Sequence, residues 1–136
     1  MIVVADASAC ASFLIPDEAG PFADFARRTV ALHDVHVPPH WPVEIASILR
    51  NACRRKRIAE NDMARLASVA TDIASDVTIV DDFTIAALID MALSNDVTPY
   101  DAAYVALAQT LQSPVLTTNR AMIRACIHLK IEVLQP

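Results

Sequence analysis

Glycine is almost absent from this chain: Gly20 is the only one among 136 residues, whereas alanine occurs 24 times. Alanine is the best helix former, and glycine is among the worst. The composition therefore predicts a helix-rich globular chain. At this length, and with 54% apolar residues, we expect one domain, residues 1–136, built around one hydrophobic core.

Long hydrophobic runs are also missing. No apolar run in the sequence approaches the roughly 18 residues that a membrane-spanning helix needs. The first residues, Met1 to Asp6, contain no basic residue, so they lack the charged start of a signal peptide. From these two absences we expect a cytoplasmic protein.

Cysteine is scarce, and its spacing is uninformative for metal chemistry. Cys10, Cys53 and Cys126 lie far apart and form no C-x-x-C pair. A thiolate metal site is therefore not expected. We interpret the three cysteines as small packing residues in a reducing compartment.

Positive charge is in short supply, since the net charge is −5. A nucleic-acid-binding protein is expected to be basic, at least locally. One basic run does occur, and two interpretations of it stay open: it grips nucleic-acid phosphates, or it is a solvated helix end that suits the negative end of the helix dipole. The candidates for phosphate contact are Arg54, Arg55, Lys56, Arg57 and, further along, Arg120.

Short apolar segments rich in β-branched residues alternate with helical segments along the whole chain. This alternation predicts a parallel sheet with helices on both faces. The fold class is therefore α/β, a three-layer α/β/α sandwich with a small central parallel sheet of about five strands. The predicted strands are residues 2–5, 35–37, 77–80, 115–117 and 131–134.

Four polar residues lie just past predicted strands or at helix starts: Asp6, Glu44, Asp101 and Asn119. Each one alone is explained as a helix cap or as a carboxylate in a first helical turn. Together they converge on the carboxyl edge of a parallel sheet, where an unpaired buried carboxylate is costly. A cation would offset that cost, and Mg²⁺ or Mn²⁺ prefers oxygen ligands. We predict that Asp6, Glu44 and Asp101 bind the metal.

Hydroxyl groups accompany these acids at Ser8, Thr98 and Thr117. They are positioned either to orient a carboxylate or a metal-bound water, or to act as ordinary caps and turn hydroxyls. Asp81 and Asp82 also follow a predicted strand, but we expect that strand at the sheet edge, where a solvated cap suffices. We therefore leave both outside the site.

Several motifs resemble those of the PIN-domain nucleases, and most closely the VapC toxins of bacterial toxin–antitoxin pairs. The motifs are Val4-Ala5-Asp6-Ala7-Ser8, the stretch from Pro42 to Leu49, the stretch from Thr98 to Ala108, and Leu116-Thr117-Thr118-Asn119. The resemblance implies a Mg²⁺- or Mn²⁺-dependent ribonuclease, a cognate antitoxin that occupies the active site, and a homodimer. Asp6, Glu44 and Asp101 match the family's acids by position.

Two positions depart from the family's pattern. Asn119 lies where many members have a fourth aspartate, so it keeps an oxygen but loses a charge. Lys56 stands where glycine is frequent, which suggests that the preceding helix continues through this point. Both departures are read from the sequence.

Two other functions stay open beside a ribonuclease toxin. One is a binding module, in which a PIN scaffold has weak or no catalysis and Asn119 marks its decay. The other is a different metal-dependent phosphoesterase, such as a small phosphatase. A phosphatase with an aspartyl nucleophile usually has a second aspartate two residues on, and here that position is Ser8.

Overall fold

A four-stranded parallel sheet forms the centre of the computed structural model, which describes residues 1–136. Its strand order is β3-β2-β1-β4. The strands are β1 (Ile2–Ala5), β2 (Asp34–Val37), β3 (Thr78–Ile79) and β4 (Val115–Leu116). The helices are α1 (Ala7–Ser12), α2 (Pro21–Leu32), α3 (Trp41–Arg54), α4 (Met63–Asp76), α5 (Ile85–Asn95), α6 (Pro99–Leu111) and α7 (Arg120–His128).

The helices form two layers, and the strand order explains their distribution. The chain moves from β1 to β2 to β3 in one direction and then returns past β1 to β4. Because crossovers between parallel strands are right-handed, α1 to α4 lie on one face and α5 to α7 on the other. The three-layer α/β/α prediction is confirmed, as is the edge position of β3.

The fifth predicted strand, residues 131–134, is reduced to one bridge. Val133 pairs with Val115 alone, through hydrogen bonds from Val115 N to Glu132 O and from Leu134 N to Val115 O, both 2.9 Å. The neighbouring strand β4 has only two residues, because Pro114 has no N–H to donate and Thr117 already turns away towards the site. Residues 131–134 therefore have no longer strand to pair with, and the pairing is limited to one bridge.

The helix after β3 begins later than the sequence indicated. The sequence predicts that Asp82 caps a helix over residues 83–94, and this prediction is wrong. Thr84 is the cap of α5, and its Oγ1 accepts a hydrogen bond from Ala87 N at 3.1 Å. Thr84 has the extended backbone of an N-cap (φ −93°, ψ 152°). Asp82 caps no helix, and it is exposed to solvent.

The sequence predicts helices over residues 7–15 and 17–32 on either side of Gly20, and both are shorter in the structure. Helix α1 ends at Ser12, before Pro16, and Pro16–Glu18 form one 3₁₀ turn. Helix α2 begins only at Pro21. Proline at a first helical position is favoured because its fixed φ fits the helix and its missing N–H is not needed there.

The scarcity of glycine has a structural consequence at helix ends. Four residues other than glycine adopt left-handed backbone conformations, each just past the C-terminus of α3, α5, α6 or α7: Lys56, Asp96, Gln112 and Lys130. Helix α3 ends at Arg54, and Lys56 has φ 58°. The expectation that this helix continues through Lys56 is therefore wrong: the turn is the one in which glycine is preferred.

The core consists of β1, β4 and the inward faces of the helices. Val3, Val4 and Ala5 are wholly buried. Burial raises the pKa of the Cys10 thiol to about 12 and that of the Cys126 thiol to about 11, so both behave as apolar packing groups. None of the helices combines the length and hydropathy required to cross a bilayer.

Replacing Lys56 by glycine should stabilise the protein. A side chain costs energy at the left-handed φ of Lys56, so Lys56→Gly should raise the free energy of unfolding by about 1 kcal/mol. Urea denaturation followed by circular dichroism measures this. Arg55→Gly is the matched control, because Arg55 has φ −85° and glycine should lower stability there; equal effects at the two positions would contradict the explanation.

Candidate active site

Asp6 lies at the point where the strand order reverses. It directly follows β1, and its backbone N–H donates to Leu116 O at 3.1 Å, next to the end of β4. Ligand sites in parallel α/β sheets form at such switch points, beyond the carboxyl ends of the strands. Only 4% of the Asp6 surface is exposed.

The Asp6 carboxylate is held by three hydrogen-bond donors and by no basic group. Oδ1 accepts from Ala9 N at 2.7 Å, the Ser8 hydroxyl lies 2.9 Å from Oδ1 and 3.1 Å from Oδ2, and Thr117 Oγ1 donates to Oδ2 at 2.5 Å. No lysine, arginine or histidine forms an ion pair with it. Burial raises the pKa of Asp6, the three donors lower it, and the charge of Glu44 raises it further.

Glu44 projects from the first turn of α3 towards the same edge. Tyr104 OH donates to Glu44 Oε1 at 2.6 Å, and His40 Nε2 lies 3.2 Å from the same oxygen. About a third of the Glu44 side chain (34%) is exposed. Helices α3 and α6, from opposite layers, thus meet at this carboxylate.

Asp101 and Asn119 face each other across the starts of α6 and α7. Asn119 Nδ2 lies 3.5 Å from Asp101 Oδ2, the outer limit of a hydrogen bond. Asn119 Oδ1 accepts from Met122 N at 3.0 Å and caps α7. This backbone contact fixes the amide orientation, so the oxygen faces the helix and the NH₂ group faces Asp101.

Asp101, like Asp6, has a raised pKa. Burial raises the pKa of Asp101, whereas hydrogen bonds from Thr98 and Asn119 and the charge of His40 lower it. Thr98 caps α6, with its Oγ1 accepting from Asp101 N at 3.2 Å. The predicted hydroxyls Ser8 and Thr117 therefore contact the Asp6 carboxylate, while Thr98 lies at Asp101 and caps α6.

The donor set fits a hard divalent cation, although its side chains do not form a closed ligand cluster. No three His, Cys, Asp or Glu side chains lie close enough together to surround an ion. Asp6 and Asp101 nevertheless carry pKa values raised by burial, a cost that a cation removes. Carboxylate oxygens are the ligands that Mg²⁺ and Mn²⁺ prefer.

Most of the basic residues predicted to contact phosphates are free at the surface, and one is not. Arg57 donates to Asp17 at 2.7 and 2.9 Å and to Glu18 at 3.0 Å, which ties the turn after α3 to the 3₁₀ turn. Its guanidinium group is therefore already bound to carboxylates. The other four candidates, Arg54, Arg55, Lys56 and Arg120, are exposed and form no ion pair.

His40 and Tyr104 contact Glu44 and belong to the site, although they are not among the residues predicted from the sequence. Two signals could have found them: His40 precedes Glu44 by four residues, and Tyr104 follows Asp101 by three, so each pair shares a helix face. Trp41, also beside the site in sequence, is only 1% exposed and packs in the core.

Comparisons with known proteins identify the family of this chain. The family model of the PIN domain matches residues 3–127, a range that contains all four site positions. Ribonuclease VapC3 of Pyrobaculum aerophilum is 29% identical over 128 residues, covering 90% of this chain and 92% of that protein. Ribonuclease VapC9 of Mycobacterium tuberculosis is 30% identical over 120 residues, covering 87% of this chain and 86% of that protein.

This chain belongs to the PIN-domain family, in its VapC group. The crystal structure of PAE2754 from Pyrobaculum aerophilum has the same fold, with a TM-score of 0.73 over 92% of this chain and 84% of that one, at 17% identity. The resemblance found in the sequence motifs is confirmed.

Removing the Asp6 charge should stabilise this PIN-domain protein in the absence of metal. Asp6→Asn keeps the size of the side chain, and the Ser8 and Thr117 hydroxyls can rotate to accept hydrogen bonds from the new NH₂ group. We expect the free energy of unfolding at pH 7 in EDTA to rise by about 1 kcal/mol.

The pH dependence of that gain identifies its cause. Because burial raises the pKa of Asp6, wild type carries the costly charge above the folded-state pKa and loses it as the pH falls through that value. The stabilities of wild type and Asp6→Asn should therefore converge at low pH in urea denaturation. Asp82→Asn, at an exposed carboxylate, should differ little from wild type; a gain for Asp6→Asn that does not vary with pH would refute the explanation.

Proposed function

We propose that this VapC-group protein is a Mg²⁺- or Mn²⁺-dependent endoribonuclease that acts as the toxin of a toxin–antitoxin pair in the cytoplasm. Residues 1–136 serve as one catalytic domain. One observation carries the proposal: the carboxylate of Asp6 is 4% exposed at the switch point of the sheet and has no basic partner. Relatives named ribonucleases, similar over most of this chain, support the choice of reaction.

In this proposal the three carboxylates divide the work. Asp6 and Asp101 hold the cation, Glu44 binds it or orients the attacking water, and Ser8 and Thr117 keep the Asp6 oxygens in place. When bound, the cation supplies Lewis-acid chemistry for phosphodiester hydrolysis. Asn119 contributes by donating its amide hydrogen to Asp101, since its oxygen is occupied by the start of α7.

In this proposal the RNA backbone is contacted by exposed cations at two places. Arg120 begins α7, directly after Asn119. Arg54, Arg55 and Lys56 form an exposed group at the end of α3. Binding through phosphates is insensitive to sequence, so these residues supply affinity rather than choice of target.

The antitoxin part of the proposal is supported by an apolar groove between α2 and α4. Its volume is about 510 Å³. From the sequence, apolar helices near residues 7–32 and 43–74 are the candidates for the antitoxin groove and the dimer face, and α2 and most of α4 fall in these segments. The apolar lining includes Leu14, Val30, Val69, Ile73 and Val77.

The homodimer part of the proposal is supported by helix α5, none of whose residues is buried. Ile85, Ile89 and Leu93 recur every four residues and are 79%, 46% and 79% exposed. An apolar stripe of this kind indicates a surface that a partner covers. We assign it to a second copy of the chain, in agreement with the dimer that the motifs imply.

Loss of the Asp6 charge should abolish RNA cleavage while the fold survives. In a cleavage assay with Mg²⁺ or Mn²⁺, Asp6→Asn should be slower than wild type by more than about 100-fold, because the loss of a ligand exceeds the 10- to 100-fold cost of disturbing its support. Asp82→Asn is the control and should cleave as wild type does. Full metal-dependent cleavage by Asp6→Asn would refute the assignment.

Asn119→Asp should strengthen the response to metal. The new carboxylate would face Asp101 and repel it, so in EDTA we expect the free energy of unfolding to fall by about 1 kcal/mol. Mn²⁺ should then raise the midpoint of thermal unfolding more in the variant than in wild type, since binding stabilises the folded state.

Asn119→Ser serves as the control for that variant, because serine keeps the cap of α7 without adding charge. If Mn²⁺ stabilises Asn119→Asp no more than it stabilises Asn119→Ser, the residue does not set the affinity for the cation.

A binding module without catalysis is the alternative that one observation favours: the amide of Asn119 stands where a further carboxylate would be and turns its NH₂ group to Asp101. The cleavage assay separates the two functions. A binding module retains RNA in a gel-shift experiment but leaves it intact when Mg²⁺ or Mn²⁺ is added.

A further inference from the structure

Glu44 is held at one oxygen only. Tyr104 OH donates to Oε1 at 2.6 Å, and His40 Nε2 lies 3.2 Å from the same Oε1. No donor of the protein contacts Oε2. Held in this way, the Glu44 carboxylate has only Oε2 free to bind a ligand.

Tyr104 is built as a fixed donor to Glu44. Only 1% of the residue is exposed, and a phenol carries its proton at neutral pH. A buried hydroxyl that donates to a charged acceptor forms one of the stronger hydrogen bonds in a protein.

His40 is fixed from three sides. Its Nε2 lies 3.1 Å from the Tyr100 carbonyl oxygen; because that oxygen can only accept, Nε2 carries the proton. The ring packs edge-on against Tyr100 and Tyr104, with centroid distances of 5.6 and 5.3 Å. This N–H group lies between the Tyr100 carbonyl oxygen and Glu44 Oε1, and the ring contacts keep it there.

We propose that Tyr104 and His40 are positioning residues that hold Glu44 Oε1, so that Glu44 offers the single oxygen Oε2 to the divalent cation. This inference rests on the proposed function, because it assigns a use to Glu44 in that site. Neither residue touches the cation. Their effect is to set the direction of one ligand before the cation arrives.

The test is a calorimetric titration of the whole protein with Mn²⁺ in the absence of RNA. Groups that orient a metal ligand are worth roughly 10- to 100-fold in metal affinity, and Tyr104→Phe should weaken Mn²⁺ binding by that factor. Tyr100→Phe is the matched control: it loses an exposed hydroxyl but keeps the ring and the carbonyl group that fix His40, so it should bind as wild type does.

Two further variants separate positioning from a general effect on the fold. In a Glu44→Gln background, Tyr104→Phe should weaken binding no further, because the two residues act through one hydrogen bond. His40→Gln should weaken binding less than Tyr104→Phe does, since its contact with Oε1 is longer. It also keeps the question decidable if Tyr104→Phe fails to fold.

The outcomes distinguish this inference from the proposed function. A wild-type chain that binds no Mn²⁺ contradicts both. The positioning role alone is overturned if wild type binds Mn²⁺ and cleaves RNA but the Mn²⁺ affinity is unchanged in Tyr104→Phe and His40→Gln. Equal weakening by Tyr104→Phe with and without the Glu44 carboxylate overturns it as well.

Discussion

The buried carboxylate of Asp6 is the constraint on which the rest of the site depends. An ionised group of this kind is expensive in a protein interior unless it is compensated. Here three hydrogen bonds compensate it in part, and no cation of the protein completes the task. Burial therefore still raises the pKa of Asp6. The surrounding residues reduce the cost of this charge, and the proposed metal ion would offset the remainder.

Helix caps and site residues proved to be the same residues. Asp6 caps α1, Thr98 caps α6 and Asn119 caps α7. Capping a helix and belonging to the site, the two interpretations of these residues, are therefore compatible. The free N–H groups at the start of a helix favour negative charge nearby. Three helices that start at one edge of a sheet stabilise a group of carboxylates there before any metal is bound.

The sequence was sufficient for the parts that local rules determine. Strand and helix alternation fixed the α/β class, and the step from an apolar strand to Asp6 fixed the edge of the sheet where the acids lie. The sequence was insufficient where contacts between residues far apart in the chain determine the structure. Tyr104 meets Glu44 across 60 residues, and no pattern along the chain predicts which carboxylate a buried tyrosine will contact.

The same distinction accounts for the errors at helix ends. Lys56 was expected inside a helix because glycine was missing, yet its backbone adopts the left-handed turn with a lysine in place. Residue preference there is worth only about 1 kcal/mol. The neighbouring Arg57 forms ion pairs with Asp17 and Glu18, and Ile58 is buried.

These tertiary contacts require the chain to turn after Arg54, and they outweigh the local preference at Lys56. The absence of glycine therefore does not predict that a helix continues when the following residues form tertiary contacts that require a turn. The basic run illustrates the result: the turn divides it, so that Arg57 becomes a structural cation while Arg54 and Arg55 stay exposed. Local sequence alone presents these residues as equivalent; the fold gives them different roles.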